Sequence, residues 1–155
     1  MEEKICAIFG HNEFIYNDKL KEKLYDCFEN LIKNFNVHYF YIGTQSNFYD
    51  FALEILTKLK TKYPHIMRYM ILEDEKYYNR PWKMPSWYKN INIDEYKFIP
   101  LTNNYWAYRL LFRNYAMIDN SDFCLFYLTN NNDKSGTFKA YKYALKKKKA
   151  IIKLP

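Results

Sequence analysis

The sequence predicts an α/β domain in three layers, with a mostly parallel sheet of about five or six strands and helices on both faces. Three observations carry that reading. Apolar runs of strand length alternate with segments of helical periodicity along the whole chain. The runs are continuous rather than alternating, as in strands buried on both faces. The three glycines in 155 residues, Gly10, Gly43 and Gly136, stand where an apolar run gives way to a helical pattern.

Residues 4–9 form a first apolar run of strand length. Residues 18–35 then place Leu20, Leu24, Cys27, Phe28, Leu31, Ile32 and Phe35 at helical spacing, with Lys and Glu on the opposite face. Residues 37–42 are β-branched and aromatic, a second strand. Residues 47–63 repeat Phe48, Phe51, Ala52, Ile55, Leu56 and Leu59 on one helical stripe, which Pro64 closes. Residues 66–72 supply a third strand. Residues 73–92, rich in Pro, Asn, Trp and Tyr without a clear period, read as a long loop. Residues 96–100 form a short edge strand, and 105–118 carry helical spacing through Trp106, Leu110, Arg113 and Met117. The apolar run 123–128, the helical segment 136–147 and a final strand at 150–154 complete the pattern. Right-handed crossovers between such units give a Rossmann-like topology that brings the carboxyl ends of the first, second and fifth strands to one edge.

A chain of this length with 49% hydrophobic residues fits one domain, 1–155, with no linker or second composition zone. No apolar run approaches the roughly 18–20 residues of a membrane span, and the start lacks a basic region before its apolar stretch, so a cytoplasmic protein with no membrane partner is expected. Cys6, Cys27 and Cys124 lie inside apolar patterns without metal-ligand spacing; they read as buried free thiols, and no metal or cofactor is expected. The net charge of +7 is concentrated late, with six lysines between Lys139 and Lys149. That run reads either as a helix end whose cations complement the dipole or as a phosphate-backbone patch for nucleic acid. The first reading is favoured because the run Lys146–Lys149 lacks the interleaved aromatic and Arg residues of a stacking groove.

A chain so sparing with glycine keeps it where a side chain would be in the way, at φ > 0 or against a ligand. The three junctions therefore mark a candidate site at the carboxyl ends of the strands, where helix N-termini offer unpaired N–H groups to phosphate.

The residues also resemble a known family. Cys6-Ala-Ile-Phe-Gly-His11, Phe40-Tyr-Ile-Gly-Thr44 with Phe48-Tyr-Asp50 and Ala52, Arg113-Asn-Tyr-Ala-Met-Ile-Asp119 with Ser121-Asp122, and Ser135-Gly-Thr137 with Ala140 and Tyr143-Ala144 are similar, in order and over nearly the whole chain, to the YpsA-like proteins of the SLOG superfamily. The resemblance implies a Rossmann-like fold and a nucleotide or nucleoside-derived ligand, in a group that includes cytokinin-activating phosphoribohydrolases and a DNA-processing protein. It also makes a homodimer an expected partner. Where relatives carry a GGxxG pattern, this chain has Gly43 followed by Thr44, Gln45, Ser46 and Asn47. Where phosphoribohydrolases carry PGGxGTxxE, the chain keeps Gly136-Thr137 but has Ala140 at the acid position. Alanine can neither stabilise an oxocarbenium ion nor activate water.

Each candidate has two readings. Thr44, Gln45, Ser46 and Asn47 bond to phosphate, or Ser46 or Asn47 caps the following helix. Asp50 answers the positive helix end or reaches a ribose hydroxyl. His11 bonds to a phosphate or base, or is structural. Arg113, beside Asn114, reaches a ligand phosphate or pairs with Asp119 or Asp122. Ser135, Gly136 and Thr137 hold phosphate, or Ser135 caps the helix and Gly136 relieves a turn. Should the chain be hydrolytic, Glu13, Asp50 and Asp119 are the acids to test. The loop aromatics Tyr77, Tyr78, Trp82, Trp87 and Tyr88, with Arg80 and Lys83, stack on a base or seal an oligomer. Three functions follow: a nucleotide-binding sensor or sequestering module, a nucleotide hydrolase of N-glycosidic type, and a DNA-binding protein acting through the lysine-rich helix.

Overall fold

A computed structural model describes residues 2–11, 16–43, 47–73, 92–99, 108–129 and 135–154. Its strands are β1 (Lys4–Gly10), β2 (Val37–Ile42), β3 (Met67–Glu73), β4 (Glu95–Ile99), β5 (Phe123–Tyr127) and β6 (Ala150–Leu154). The helices among the described residues are α1 (Asp18–Asn34), α2 (Asn47–Lys62), α3 (Arg109–Asp119) and α4 (Gly136–Lys146). The six strands lie in the order β4-β3-β2-β1-β5-β6, and every neighbouring pair is parallel. The expected three-layer Rossmann-like α/β fold is therefore the fold observed.

The two faces follow from the two-residue period of the strands. Cys6, Ile8, Phe40, Ile42, Met70, Leu72, Leu125 and Tyr127 face one layer, built from the apolar stripes of α1 and α2. Ala7, Phe9, Tyr41, Ile71, Cys124 and Phe126 face the other, built from α3 and α4. Along the central strands β1, β2 and β5 both sides are largely buried, which is why these strands read as unbroken apolar runs. Phe28 of α1 meets Phe40 of β2 edge to face at 5.4 Å. Each such buried ring contributes roughly 1.5–3 kcal/mol relative to exposure.

The chain steps outward from β1 to β4 and then returns to the far side of β1 as β5. The sequence direction thus reverses between β1 and β5, the switch point at which open α/β sheets bind ligands. All six strands, being parallel, end on one edge, and each crossover helix begins there.

Local chemistry starts and stops the helices. Asn17 accepts a hydrogen bond from the Leu20 N–H at 2.7 Å, and Ser135 accepts one from Phe138 N–H at 3.0 Å. After α4, Lys148 turns left-handed (φ 56°), and the Lys148 and Lys149 amides bond to Leu145 O and Ala144 O, a Schellman ending without its usual glycine. Asn36, after α1, is the other left-handed residue (φ 55°) among those described. The glycines break the expectation of φ > 0: none of the three is left-handed.

Candidate functional site

The three glycines share the carboxyl edge but differ in what their missing side chains admit. Gly10 closes β1 beside Tyr127 of β5. A Cβ there would sit 2.7 Å from Phe48 Cβ and inside its ring. Phe48, in the first turn of α2, is fully buried and stacks on Tyr127 at 5.1 Å. Gly43 follows β2, and a Cβ there would lie 2.6 Å from Cζ of Arg113. Gly136 opens α4 with nothing among the described residues within 4 Å of its would-be Cβ. So Gly10 and Gly43 are glycine because protein groups press on them, while at Gly136 no described residue does. Thr137 ties the first junction to the third, its hydroxyl donating to Gly10 O at 3.0 Å.

Arg113 is buried, and its surroundings correct the expected pairing. It lies 3.7 Å from Glu73, the last residue of β3, and not beside Asp119 or Asp122. Its Nη2 donates to Asn114 Oδ1 at 3.1 Å, so the oxygen of Asn114 serves Arg113. Arg109, one turn earlier on α3, lies 3.7 Å from the other oxygen of Glu73. Tyr49 joins the cluster from α2: burial pushes its hydroxyl above the ordinary phenol range, opposed by the charge of Arg113 and by a hydrogen bond with the Gly43 backbone.

The remaining candidates divide by position. Asn47 opens α2 and is exposed, and His11 is half-buried just beyond Gly10. Asp50 lies on the first turn of α2, where loss of hydration pushes its carboxyl above the usual range. Ser135 caps α4 as one reading held. The amides of Gly136 and Thr137 have no intrahelical acceptor, as in any first turn. Asp119 is a correction: it ends α3 at the opposite, amino-terminal edge, where both its oxygens accept from the Tyr143 hydroxyl at 2.9 and 3.0 Å. Desolvation and then that bond push Tyr143 up to about 12. Helix α3 runs antiparallel to the strands, so eleven residues carry its end from one edge of the sheet to the other. Asp122 also sits at the amino edge, accepting from Ile5 N–H at 2.9 Å. Glu13, Thr44, Gln45, Ser46, the lysine and arginine of the 74–91 stretch and its aromatic residues lie outside the described residues.

Lys149 donates to Ser121 O at 3.0 Å, and the Lys147 ammonium lies 5.4 Å from the centre of the Tyr143 ring, so part of the lysine run is engaged at helix ends. Cys6 and Cys124 are buried and Cys27 is half-buried, with desolvation pushing all three thiols up. Thiolate chemistry is disfavoured there. No group of three or more metal-ligating side chains occurs among the described residues, and no helix among them is long and apolar enough to cross a membrane.

Sequence reasoning missed Glu73, Arg109, Tyr49 and the wedge of Phe48. Two signals were available. A carboxylate ends the apolar run Ile71-Leu72-Glu73, at the carboxyl end of a strand where ligands bind. Arg109 and Arg113 are four apart and so share a helix face.

No family model matches the sequence, and no curated protein matches it. Among solved structures the chain is similar to TM1055, a structural genomics target determined by X-ray crystallography. The TM-score is 0.60 at 12% identity, over 96% of this chain and 72% of that one. The likeness establishes a shared fold.

Proposed function

We propose that the chain binds a nucleotide or nucleoside-derived ligand at the carboxyl edge of its sheet, as a sensor or sequestering module of the YpsA-like SLOG type. The observation that carries this reading is the meeting of the three glycine junctions on one edge at the β1/β5 switch point, with no described residue crowding Gly136 beside the first amides of α4. The resemblance of the Gly10, Gly43, Arg113 and Gly136 segments to that superfamily supports it.

Binding without turnover is preferred to hydrolysis. Ala140, at the family's acid position, is buried in the α4 core, and Asp119 belongs to the other edge. Asp50 keeps a hydrolytic reading in play, since a carboxyl with a raised pKa at a ligand edge is suited to donate a proton. Release of free base from a nucleotide panel, abolished in Asp50→Asn, supports hydrolysis over binding.

The test of the site is a thermal-shift panel of nucleotides, nicotinamide dinucleotides and cyclic dinucleotides on wild type and Gly136→Tyr. Ligand stabilises the native state and raises Tm in the wild type. Because no described residue crowds Gly136, the variant folds with its Tm near wild type and its ligand shift is lost. An undiminished shift in Gly136→Tyr moves the site elsewhere.

A further inference from the structure

One buried carboxylate at the ligand edge is shared by two guanidiniums. Glu73 Oε1 lies 3.7 Å from Arg109 Nε, and Glu73 Oε2 lies 3.7 Å from Arg113 Nη1. Both separations exceed the 2.7–2.9 Å of a charge-assisted hydrogen bond, so these pairs attract without locking. The two arginines are not equivalent. The side chain of Arg113 is 4% exposed, pressed on Gly43 and bonded to Asn114. That of Arg109 is 29% exposed, so it has room to turn toward solvent.

The helix ends point the same way. Helices α1 and α2 carry Asp18 and Asp50 in their first turns, which answers the positive end of the dipole. Helices α3 and α4 have no acid in the first turn, and α3 begins instead with Arg109. A cation at that position is unfavourable unless an anion lies near, and the anion is Glu73, brought from β3.

Building on the nucleotide-site reading, we propose that Glu73 is an internal competitor for the ligand's phosphate: it holds Arg109 in the empty protein, and a phosphate-class anion draws Arg109 away while Arg113 stays with Glu73. Arg109 then contacts ligand, and Glu73 sets the affinity. The exchange suits a guanidinium, whose planar fork of N–H groups donates to two oxygens of a phosphate as readily as to those of a carboxylate.

The experiment measures binding of inorganic phosphate and pyrophosphate by calorimetry, with chloride at matched ionic strength, to wild type, Glu73→Gln and Arg109→Gln. The side-chain amide of Glu73→Gln competes poorly, so the variant binds pyrophosphate roughly tenfold tighter, the equivalent of one charge-assisted hydrogen bond. It also gains more in Tm from pyrophosphate than wild type does. Arg109→Gln, at a partly exposed position that tolerates change, loses pyrophosphate binding by at least about tenfold while keeping its Tm. Equal pyrophosphate affinity in wild type and Arg109→Gln overturns the proposal, and that arm decides the matter even if Glu73→Gln fails to fold. The two readings fail separately. Nucleotide binding indifferent to both substitutions overturns the competitor and leaves the nucleotide site. Arg109-dependent pyrophosphate binding with no gain from any attached nucleoside upholds the competitor and overturns the nucleotide.

Discussion

Two buried arginines on opposite edges of the sheet solve the same electrostatic problem differently. At the amino edge, Arg68 meets Asp94 with both Nε at 3.0 Å and Nη2 at 3.1 Å, while its backbone N–H donates to the same carboxylate at 2.7 Å. Nη1 reaches Thr57 at 2.8 Å, and Lys60 stands 3.4 Å from Asp94. At the carboxyl edge, Arg113 stays 3.7 Å from Glu73, which it shares with Arg109. The first is a clasp that ties α2, β3 and the start of β4. The second leaves its charges at a distance from which they can be redistributed. A buried ion pair in full hydrogen-bond contact resists exchange, whereas a shared one at longer range is open to a third partner.

Breaking the clasp produces the largest expected effect. Asp94→Asn leaves the Arg68 charge buried without its counter-ion and lowers stability by about 3 kcal/mol, measured by urea denaturation at neutral pH. Ligand shifts at the other edge are unchanged. The clasp also has a pH signature. Desolvation raises the Asp94 carboxyl, but the hydrogen bonds and charge of Arg68 and the charge of Lys60 outweigh it and hold the group below the usual range. The folded state thus binds this proton less readily than the unfolded chain. The stabilisation is present above the unfolded value, about pH 4, and is lost as pH falls toward the lower folded one. Urea midpoints taken from pH 6 down to pH 3 fall more steeply in wild type than in Asp94→Asn. Equal slopes would show that the clasp does not carry the acid sensitivity.

The glycines sharpen the comparison at intermediate scale. Gly10→Ala and Gly43→Ala push a methyl into Phe48 and Arg113, costing about 1–3 kcal/mol each, while Gly136→Ala stays within about 0.5 kcal/mol of wild type. A Gly43→Ala variant as stable as wild type would mean that Arg113 can withdraw freely. The smallest effect is a gain. Lys148→Gly relieves the left-handed strain after α4 and raises stability by roughly 0.5–1 kcal/mol, read as a higher urea midpoint.

Most of the fold was legible in the chain. β2 and β6 begin and end where the residue pattern places them, and α1 and α2 each stop one residue short of the pattern. Strands buried on both faces and helices with one apolar stripe leave unmistakable periods. The departures among the described elements are at helix and strand ends, where β3, for example, runs 67–73 rather than 66–72. The glycine junctions were legible in place but not in partnership. The glycines do mark one edge, yet nothing in the order of residues tells that Gly43 makes room for Arg113, seventy positions later, or that Gly10 makes room for Phe48.

By itself the sequence determined what depends on near neighbours: the alternation of strand and helix, the Ser135 cap, and the burial of Cys6 and Cys124. Only the tertiary structure decided which charges meet. It took Arg113 from Asp119, six residues away but on the far edge, and gave it to Glu73, forty residues earlier in the chain. Helical rise separates residues along one element, while parallel pairing brings distant strand ends together, and electrostatic partnership depends on distance in space alone.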